Sequence, residues 1–527
     1  MLTGLGCVMV FLILVFLLFW PGFVLQSIFV RSKAILEVLV YSIALGIAYI
    51  VLICPVLDLV WDISLVSISC SVLLLSGLLF MKKPDLQVSP PLLWEVIVLV
   101  LIFSYGFLLR SYTLVEILPA GQDAWRHLSF MQYIHETHTL PDFIPWMEPP
   151  QPVTIYMYPP GAHCIGALLS LPLKELSFPL TELFFIGMGA ASSLSSYIVL
   201  KNFLGPKAVL SSLYVAVFVP HMIMTTEVTA EAISIFICPL IPYLYYRNKK
   251  GAAAILLGSI VLIHHLTALG VVIPLFALAL VFTFHTKKLN HIYSGGLISL
   301  AALILSSPWW LQRTFHLASP AAEPGFREFQ EAFFNPYTTS VSPLLIFFSM
   351  VGFYMLLKER KEYSLFLITW GVSLFIASQP LFPLWFSNHR FLAFFIFPCS
   401  FMASLGLLTV KNHVKGVLFI FLLIIVFLPG SSPRFWPSTG EENLLANEWI
   451  RDSTLDPVFY VYGPHYTFVY SLSHRKILTI TDFDDPFTYG GSTYFYDDAD
   501  WVPHDISRFG QFDKVYSCKG VVIFEIV

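Results

Sequence analysis

Apolar runs of about twenty residues, the length that crosses a bilayer as a helix, recur along the chain with short polar clusters between them. The pattern predicts helices near 8–29, 34–56, 63–81, 92–110, 180–200, 207–221, 228–246, 252–268, 270–285, 292–312, 343–358, 363–379, 390–410 and 415–430. The two between 252 and 285 are short and read either as a tight hairpin or as one bent element. Tyr158 to Leu173 is also apolar, but Pro172, Lys174 and Glu175 cut it off well short of a span. It reads as an interfacial or re-entrant helix. Beyond residue 430 the pattern changes. Val458–Tyr462 and Lys476–Thr481 are strand candidates, and Lys514–Cys518 with Val521–Val527 reads as a closing hairpin. Glu441–Arg451 reads as an amphipathic helix, and the acidic, aromatic stretch Asp482–Asp505 as a long loop. The expected fold class is mostly α: a polytopic transmembrane helix bundle of about 14 helices with a small C-terminal α/β domain.

Composition supports the membrane reading. Of 527 residues, 57% are hydrophobic and 12% charged, and the mean hydropathy is +0.77. Soluble domains carry about a quarter charged residues, so there is too little polar material to cover a water-facing surface. That excludes a soluble enzyme and a disordered chain. A net charge of -4 gives no reason to expect nucleic acid as a partner. The seven cysteines include no CxxC pair, so neither a zinc ribbon nor a disulfide framework is supported. The first run lacks a basic start and is too long for a signal-peptide core, so it reads as a retained helix.

Charge then orients the helices. One set of short loops holds Arg31, Lys33, Lys82, Lys83, Lys201, Lys207, Arg247, Lys249, Lys250, Lys287, Lys288, Lys358, Arg360, Lys361, Lys411 and Lys415, more than half of the 29 Lys and Arg. The opposite short loops, 56–63, 222–227 and 268–270, hold none. The positive-inside rule makes the first set cytoplasmic. Both termini are then extracytoplasmic, as are the long loop 111–179, the shorter 313–342 and the tail 431–527. Three regions follow: an N-terminal transmembrane extension (1–91), a transmembrane core (92–430) and an extracytoplasmic α/β domain (431–527).

The outer face collects the residues that could carry chemistry. Gly121-Gln122-Asp123 opens a segment in which Asp123 and His127 are four apart, on one helix face. Asp123 is equally well placed to cap that helix, although a carboxylate beside the membrane is costly and so points to function. Tyr158-Pro159-Pro160-Gly161-Ala162-His163 is a rigid approach into a helix start, setting Tyr158 and His163 near the headgroup layer. Glu227 and Glu231 are again four apart, and one of them could serve the helix dipole. His264-His265-Leu266-Thr267 lies at the outer turn of the short helix pair, as a hydrogen-bonded core feature or a ligand pair. His389-Arg390 opens a late helix from outside. A cation at a helix N-terminus conflicts with the dipole, and a bound anion such as phosphate, or snorkelling to lipid phosphate, resolves the conflict. Arg313 belongs to the same face. Acids beside cations at a lipid boundary suit transfer chemistry on a lipid phosphate: a carboxylate can remove an acceptor proton, and an Arg can hold the departing phosphate. No Walker motif, GxGxxG or HExxH accompanies them.

With these pieces in this order, residues 92–430 resemble the GT-C superfamily of integral-membrane glycosyltransferases, which includes protein O-mannosyltransferases, aminoarabinose transferases and oligosaccharyltransferases. The matching features are Gly121-Gln122-Asp123 after the first core helix, Tyr158-Pro159-Pro160-Gly161 opening a juxtamembrane helix, Glu231 or Glu227 in the next outer loop, the polar turn His264–Thr267, and Arg390. Two departures stand out. The family's usual His-Pro-Pro-Leu is Tyr158 to Gly161 here, and the Lys-Gly of aminoarabinose transferases is replaced at His264–Thr267. The resemblance implies a polyprenyl- or dolichyl-phosphate sugar donor entering from the bilayer and a glycan, lipid or protein acceptor. It implies Asp123 as general base or as ligand of a divalent cation (Mg or Mn). It implies attack with inversion, and departure of the lipid phosphate toward Arg390 with help from His389 or Arg313. Glu231 and Glu227 would orient the acceptor or, with Asp123 and His127, complete a metal site.

Three other readings compete. A transporter or flippase for lipid-linked glycans would show repeats and midplane charges, and the ionisable residues here gather at one face. An O-antigen ligase or polymerase would carry its large outer loop late. A non-catalytic scaffold would use the tail alone.

Overall fold

The computed structural model describes residues 12–13, 15–81, 89–111, 122–142, 158–173, 176–218, 222, 224–226, 228–314, 343–379, 391–409 and five strands beyond 457, with the backbone alone described for 79–81, 122–123, 312–314, 343–344 and the strands. The expected helix at 415–430 and the amphipathic helix at 441–451 lie outside these residues.

The amino-terminal helix is α1 (Trp20–Leu25), flanked by π-helical turns Val15–Phe19 and Gln26–Val30. Next come α2 (Ile35–Val60), α3 (Leu65–Met81) and α4 (Leu93–Arg110), within a few residues of the expected spans. Two shorter helices follow, α5 (Gln122–Thr137) and α6 (Gly161–Ser170). α7 (Phe178–Leu204) turns through a 3-10 segment into α8 (Val209–Val217). Then come α9 (Ala230–Ile237), α10 (Leu240–Tyr246), α11 (Lys250–Ile263), α12 (His265–Thr286), α13 (Asn290–Thr314), α14 (Pro343–Glu359), α15 (Glu362–Ala377) and α16 (Phe391–Thr409). Six of the described helical stretches are long and apolar enough to cross a membrane, and their outward faces carry exposed Leu, Ile, Val and Phe. The chain is a multi-pass membrane protein.

Three expectations change. The predicted span 228–246 is two helices, because Pro239 has no N–H to continue the ladder. The break in 252–285 falls at His264, not at 268–270. His264 is extended (φ -157, ψ 112) and its ring accepts from the Thr267 N–H, so it ends α11 and caps α12. The stretch 482–505 is not all loop. It contains a strand, β3 (Tyr494–Asp498), at the centre of a five-stranded sheet of order β2-β1-β3-β5-β4. β1 (Val458–Tyr462) pairs in parallel with β2 (Lys476–Ile480) and β3, whereas β5 (Val521–Glu525) pairs antiparallel with β3 and β4 (Asp513–Cys518).

Helices approach closely where glycine removes the side chain, the usual device of bundles in lipid. A Cβ on Gly22 would land on the Ser42 carbonyl oxygen, and one on Gly46 on that of Leu18, which joins α1 to α2. Gly352 and Gly406 do the same between α14 and α16, against Met402 and Phe348. Buried serines bond neighbouring carbonyls: Ser195 Oγ donates to Phe236 O (2.7 Å) and Ser212 Oγ to Ser193 O (2.7 Å).

The basic loops gather at one end. The start of α4 meets the end of α7, where Glu95 accepts from Lys201 (3.0 Å) and Tyr197 (2.7 Å). Asn202 links Glu37 (3.3 Å) and Arg247 (3.1 Å). Lys250, Lys288 and Glu362 line one cavity there. α11 and α12 therefore leave and return to the same end, which makes them a hairpin whose tip is His264.

Candidate functional site

α5 and α6 lie across the opposite end. Leu140 N donates to Asp58 Oδ1 (2.8 Å) and Ile63 N to His138 O (2.7 Å), tying the end of α5 to the end of α2. All ten residues of α6 are buried, so this half-length helix is sealed into protein, where its polar groups find partners. Gly161 lets its first turn press on the tip of α11, since a Cβ there would stand 2.6 Å from Leu262 O. Trp125, Leu128, Met131 and Ile134 form the buried face of α5.

This packing brings six of the sequence-predicted residues into one line. His127 Nδ1 and His163 Nε2 share a hydrogen bond of 2.8 Å. The Tyr158 ring lies edge-on to His127 (5.2 Å) and reaches His265 (6.2 Å), which neighbours His264 (5.4 Å). His264 Nε2 meets Glu231 Oε1 at 3.1 Å. Its other nitrogen, Nδ1, lies 2.9 Å from Thr267 Oγ1, which in turn lies 2.9 Å from Ser234 Oγ. Because Nδ1 also accepts from the Thr267 N–H, the ring proton belongs on Nε2, where it is donated to Glu231. A carboxylate held this way has a fixed direction and a fixed acceptor atom.

Of the remaining predicted residues, Asp123 lies one turn before His127 on α5, and Arg313 lies in the last turn of α13, at the same end of the bundle. Glu227, His389 and Arg390 lie outside the described residues, as do 112–121, 143–157 and 174–175 of the loop 111–179. Among the described residues no group of three His, Cys, Asp or Glu side chains could hold a metal ion. Among these donors His127 pairs with His163 and Glu231 with His264.

Sequence reasoning passed over Ser234 and named Thr267 only as the end of the polar turn, although they stand three residues after Glu231 and His264. It also passed over Arg110. This side chain is 0% exposed at the end of α4. Its Nε donates to Thr225 Oγ1 (2.7 Å) and its Nη1 to the carbonyls of Gly106 (2.8 Å) and Ala216 (3.0 Å). Nη2 has no hydrogen-bond partner, and no carboxylate pairs with Arg110 among the described residues. It ties Thr225, six residues before Glu231, to the ends of α4 and α8. The available signal was an Arg closing an apolar helix.

Burial first, then the neighbouring His127, pushes the His163 pKa well below the usual histidine value. Folded His163 stays neutral where the unfolded chain, near 6.5, would take a proton. Lowering the pH through that value therefore favours unfolding, by up to about 1.4 kcal/mol per pH unit for this one group. Melting temperature in detergent should fall on acidification below about pH 6.5, and His163→Gln should flatten the slope. An unchanged slope in that variant would assign the acid sensitivity elsewhere.

No family model matches the chain, and no curated protein does. Solved structures do. One is the archaeal oligosaccharyltransferase AglB from Archaeoglobus fulgidus, in complex with an inhibitory peptide and a dolichol-phosphate, at TM-score 0.56 and 14% identity over 77% of this chain and 70% of that one. Another is ArnT from Cupriavidus metallidurans, bound to undecaprenyl phosphate, at TM-score 0.58 and 12% identity over 82% and 98%. The fold is GT-C. A further AglB structure, in complex with Zn and sulfate, matches at TM-score 0.54 and 15% identity over 76% and 68%. At these identities the likeness is one of GT-C architecture, and the chemistry has to be argued from the residues above.

Proposed function

We propose that this GT-C protein is a membrane glycosyltransferase that moves a sugar from a polyprenyl- or dolichyl-phosphate donor to an acceptor at the extracytoplasmic face. The observation that carries the reading is the line His127–His163–Tyr158–His265–His264–Glu231. It lies at the end of the bundle away from the basic loops, and one turn after Asp123. The basic loops mark the cytoplasmic side by the positive-inside rule. The fold supports the general kind, since the AglB and ArnT structures hold lipid phosphates.

In this reading Asp123 removes the acceptor proton as the acceptor oxygen attacks the anomeric carbon. The bond from that carbon to the lipid phosphate breaks with inversion, and the phosphate leaves as the anion. Glu231, aimed by His264 and Thr267, fixes the acceptor hydroxyl. Arg390, with His389 or Arg313, receives the phosphate charge. Direct proton removal of this kind needs no divalent cation; Asp123, His127 and Glu231 are the residues that would hold one, and it would then polarise the acceptor hydroxyl.

The test is incubation of purified protein with radiolabelled polyprenyl-phosphate sugars and an extract of acceptors, with and without chelator. Label should move to a new product in both arms. Loss of transfer with chelator would replace direct proton removal by a metal-held acceptor. Movement of intact donor across liposomes with no covalent product would replace the enzyme by a transporter.

A further inference from the structure

At the basic end a cavity of about 350 Å³ lies between α10, α11, α12, α13 and α15, lined among others by Lys250, Lys288, Asn248, His291 and Glu362. A second cavity, of about 480 Å³, abuts it, shares Asn248 and Lys250, and adds Arg31 and Lys249. Volumes of this size hold small ligands.

The charges here conflict with their surroundings. α11 starts at Lys250 with Lys249 as its N-cap, and no side chain caps its first turn. α13 starts at Asn290, directly after Lys287, Lys288 and Leu289. The first-turn N–H groups of both helices lack intrahelical acceptors, and both helix ends carry partial positive charge. The two lysine pairs follow the C-terminal ends of α10 and α12, which favour cations, but they also crowd the N-terminal ends of α11 and α13, which favour anions. Lys249, Lys250 and Lys288 form no ion pair with any described residue, and Glu362 is the one acid in the lining. An anion would relieve both helix ends and both lysine pairs together. Beside the cavity, Leu289, Tyr293 and Leu297 are more than half exposed, a stripe at helical spacing that continues down α13 through Leu300 and Ile304. Polar lining at the cavity and an apolar stripe leading away from it match a headgroup with its chains.

We propose that this cavity binds the phosphodiester headgroup of an anionic phospholipid in the leaflet opposite the candidate site, with Lys250 and Lys288 holding the phosphate and the acyl chains lying along α13. The inference does not depend on the transferase reading, and its test measures no transfer.

Native mass spectrometry of the full-length protein, delipidated and offered phosphatidylglycerol or phosphatidylcholine, reads the site directly. Wild-type protein should retain phosphatidylglycerol in preference. The double variant Lys250→Gln, Lys288→Gln should retain about tenfold less, with the same melting temperature in lipid-free detergent. Lys358→Gln, a loss of charge at the same end but outside the cavity, should behave as wild type. Equal retention in all three proteins, or no preference between the lipids, would overturn the proposal. Inorganic phosphate alone raising the wild-type melting temperature as much as phosphatidylglycerol does would also overturn it, in favour of a soluble phosphate ligand. Should the double variant melt early, Lys250→Arg and Lys288→Arg, which keep the charge, must restore retention; failure of that rescue also overturns it.

Discussion

Asp123→Asn protein should fold and purify as wild type and transfer sugar about 100- to 10,000-fold more slowly, the range a positioned general base supplies. The substitution keeps the side-chain shape and removes the group that can take a proton. Folding should tolerate it because α5 is held along its length: Trp125, Leu128, Met131 and Ile134 are buried, Trp125 packs edge-on to Phe178 at 5.6 Å, and Asp58 anchors the end of the segment. The helix starts at Gln122, so Asp123 sits inside the first turn and is not its N-cap as the sequence allowed; an Asn there gives up only a charge–dipole contact of about 0.3–1 kcal/mol. The variant therefore separates that small structural contribution of Asp123 from the chemical one. The measurement is turnover of labelled donor beside a melting curve for each protein. Wild-type turnover in the Asn variant would take Asp123 out of the chemistry and leave it a first-turn charge on α5.

Gly352→Val should fail to give a monodisperse folded protein. A Cβ at this position falls on the backbone carbonyl of Met402, and the reciprocal Gly406 faces the carbonyl of Phe348, so α14 and α16 touch backbone to backbone. Neither obstacle is a flexible side-chain end. The two helices would have to separate along their whole contact, forfeiting the close dispersion contacts that hold helices together where lipid competes equally for apolar surface. The cost should reach about 3 kcal/mol or more, at the upper end of overpacking effects. Gly77→Ala and Gly296→Ala are the matched controls, because an added Cβ there meets nothing within 4 Å. Size-exclusion profiles and melting temperatures of the three variants read the contrast. A Gly352→Val protein that melts like the controls would show that the contact can open.

The helices were legible because a bilayer imposes one length and one composition on every span, and the ends from Ile35 to Thr409 fall within a few residues of the apolar limits wherever no proline or cap intervenes. What hydropathy cannot see is a break without a polarity change. Cys238-Pro239 splits an apolar run, and His264 caps α12 inside another; both depend on single hydrogen bonds. β3 was hidden for the opposite reason: Asp497 and Asp498 made Tyr494-Phe495-Tyr496 look like part of an acidic loop, although aromatic residues favour strands. At the site, each residue was visible by type and sidedness, but its partner was not. His127 and His163 are 36 residues apart, and Glu231 and His264 are 33 apart. Their pairing is set by how α6 and the tip of α11 pack, which no spacing rule encodes. Arg110 was missed because the end of an apolar helix is an ordinary place for an Arg to snorkel. Only burial shows that this one does not.

His264 does two jobs with one ring: Nδ1 starts a helix through Thr267, and Nε2 aims Glu231. Folding and reactivity are thereby welded together at this turn. A lineage cannot drift at position 264 alone, because an Asn would keep the helix start and lose the reach, whereas a Lys would keep a reach to the acid and lose the start. Descendants with another residue at 264 should therefore have changed 231 and 267 in step, leaving a three-way correlation between sites that sequence distance alone would never suggest.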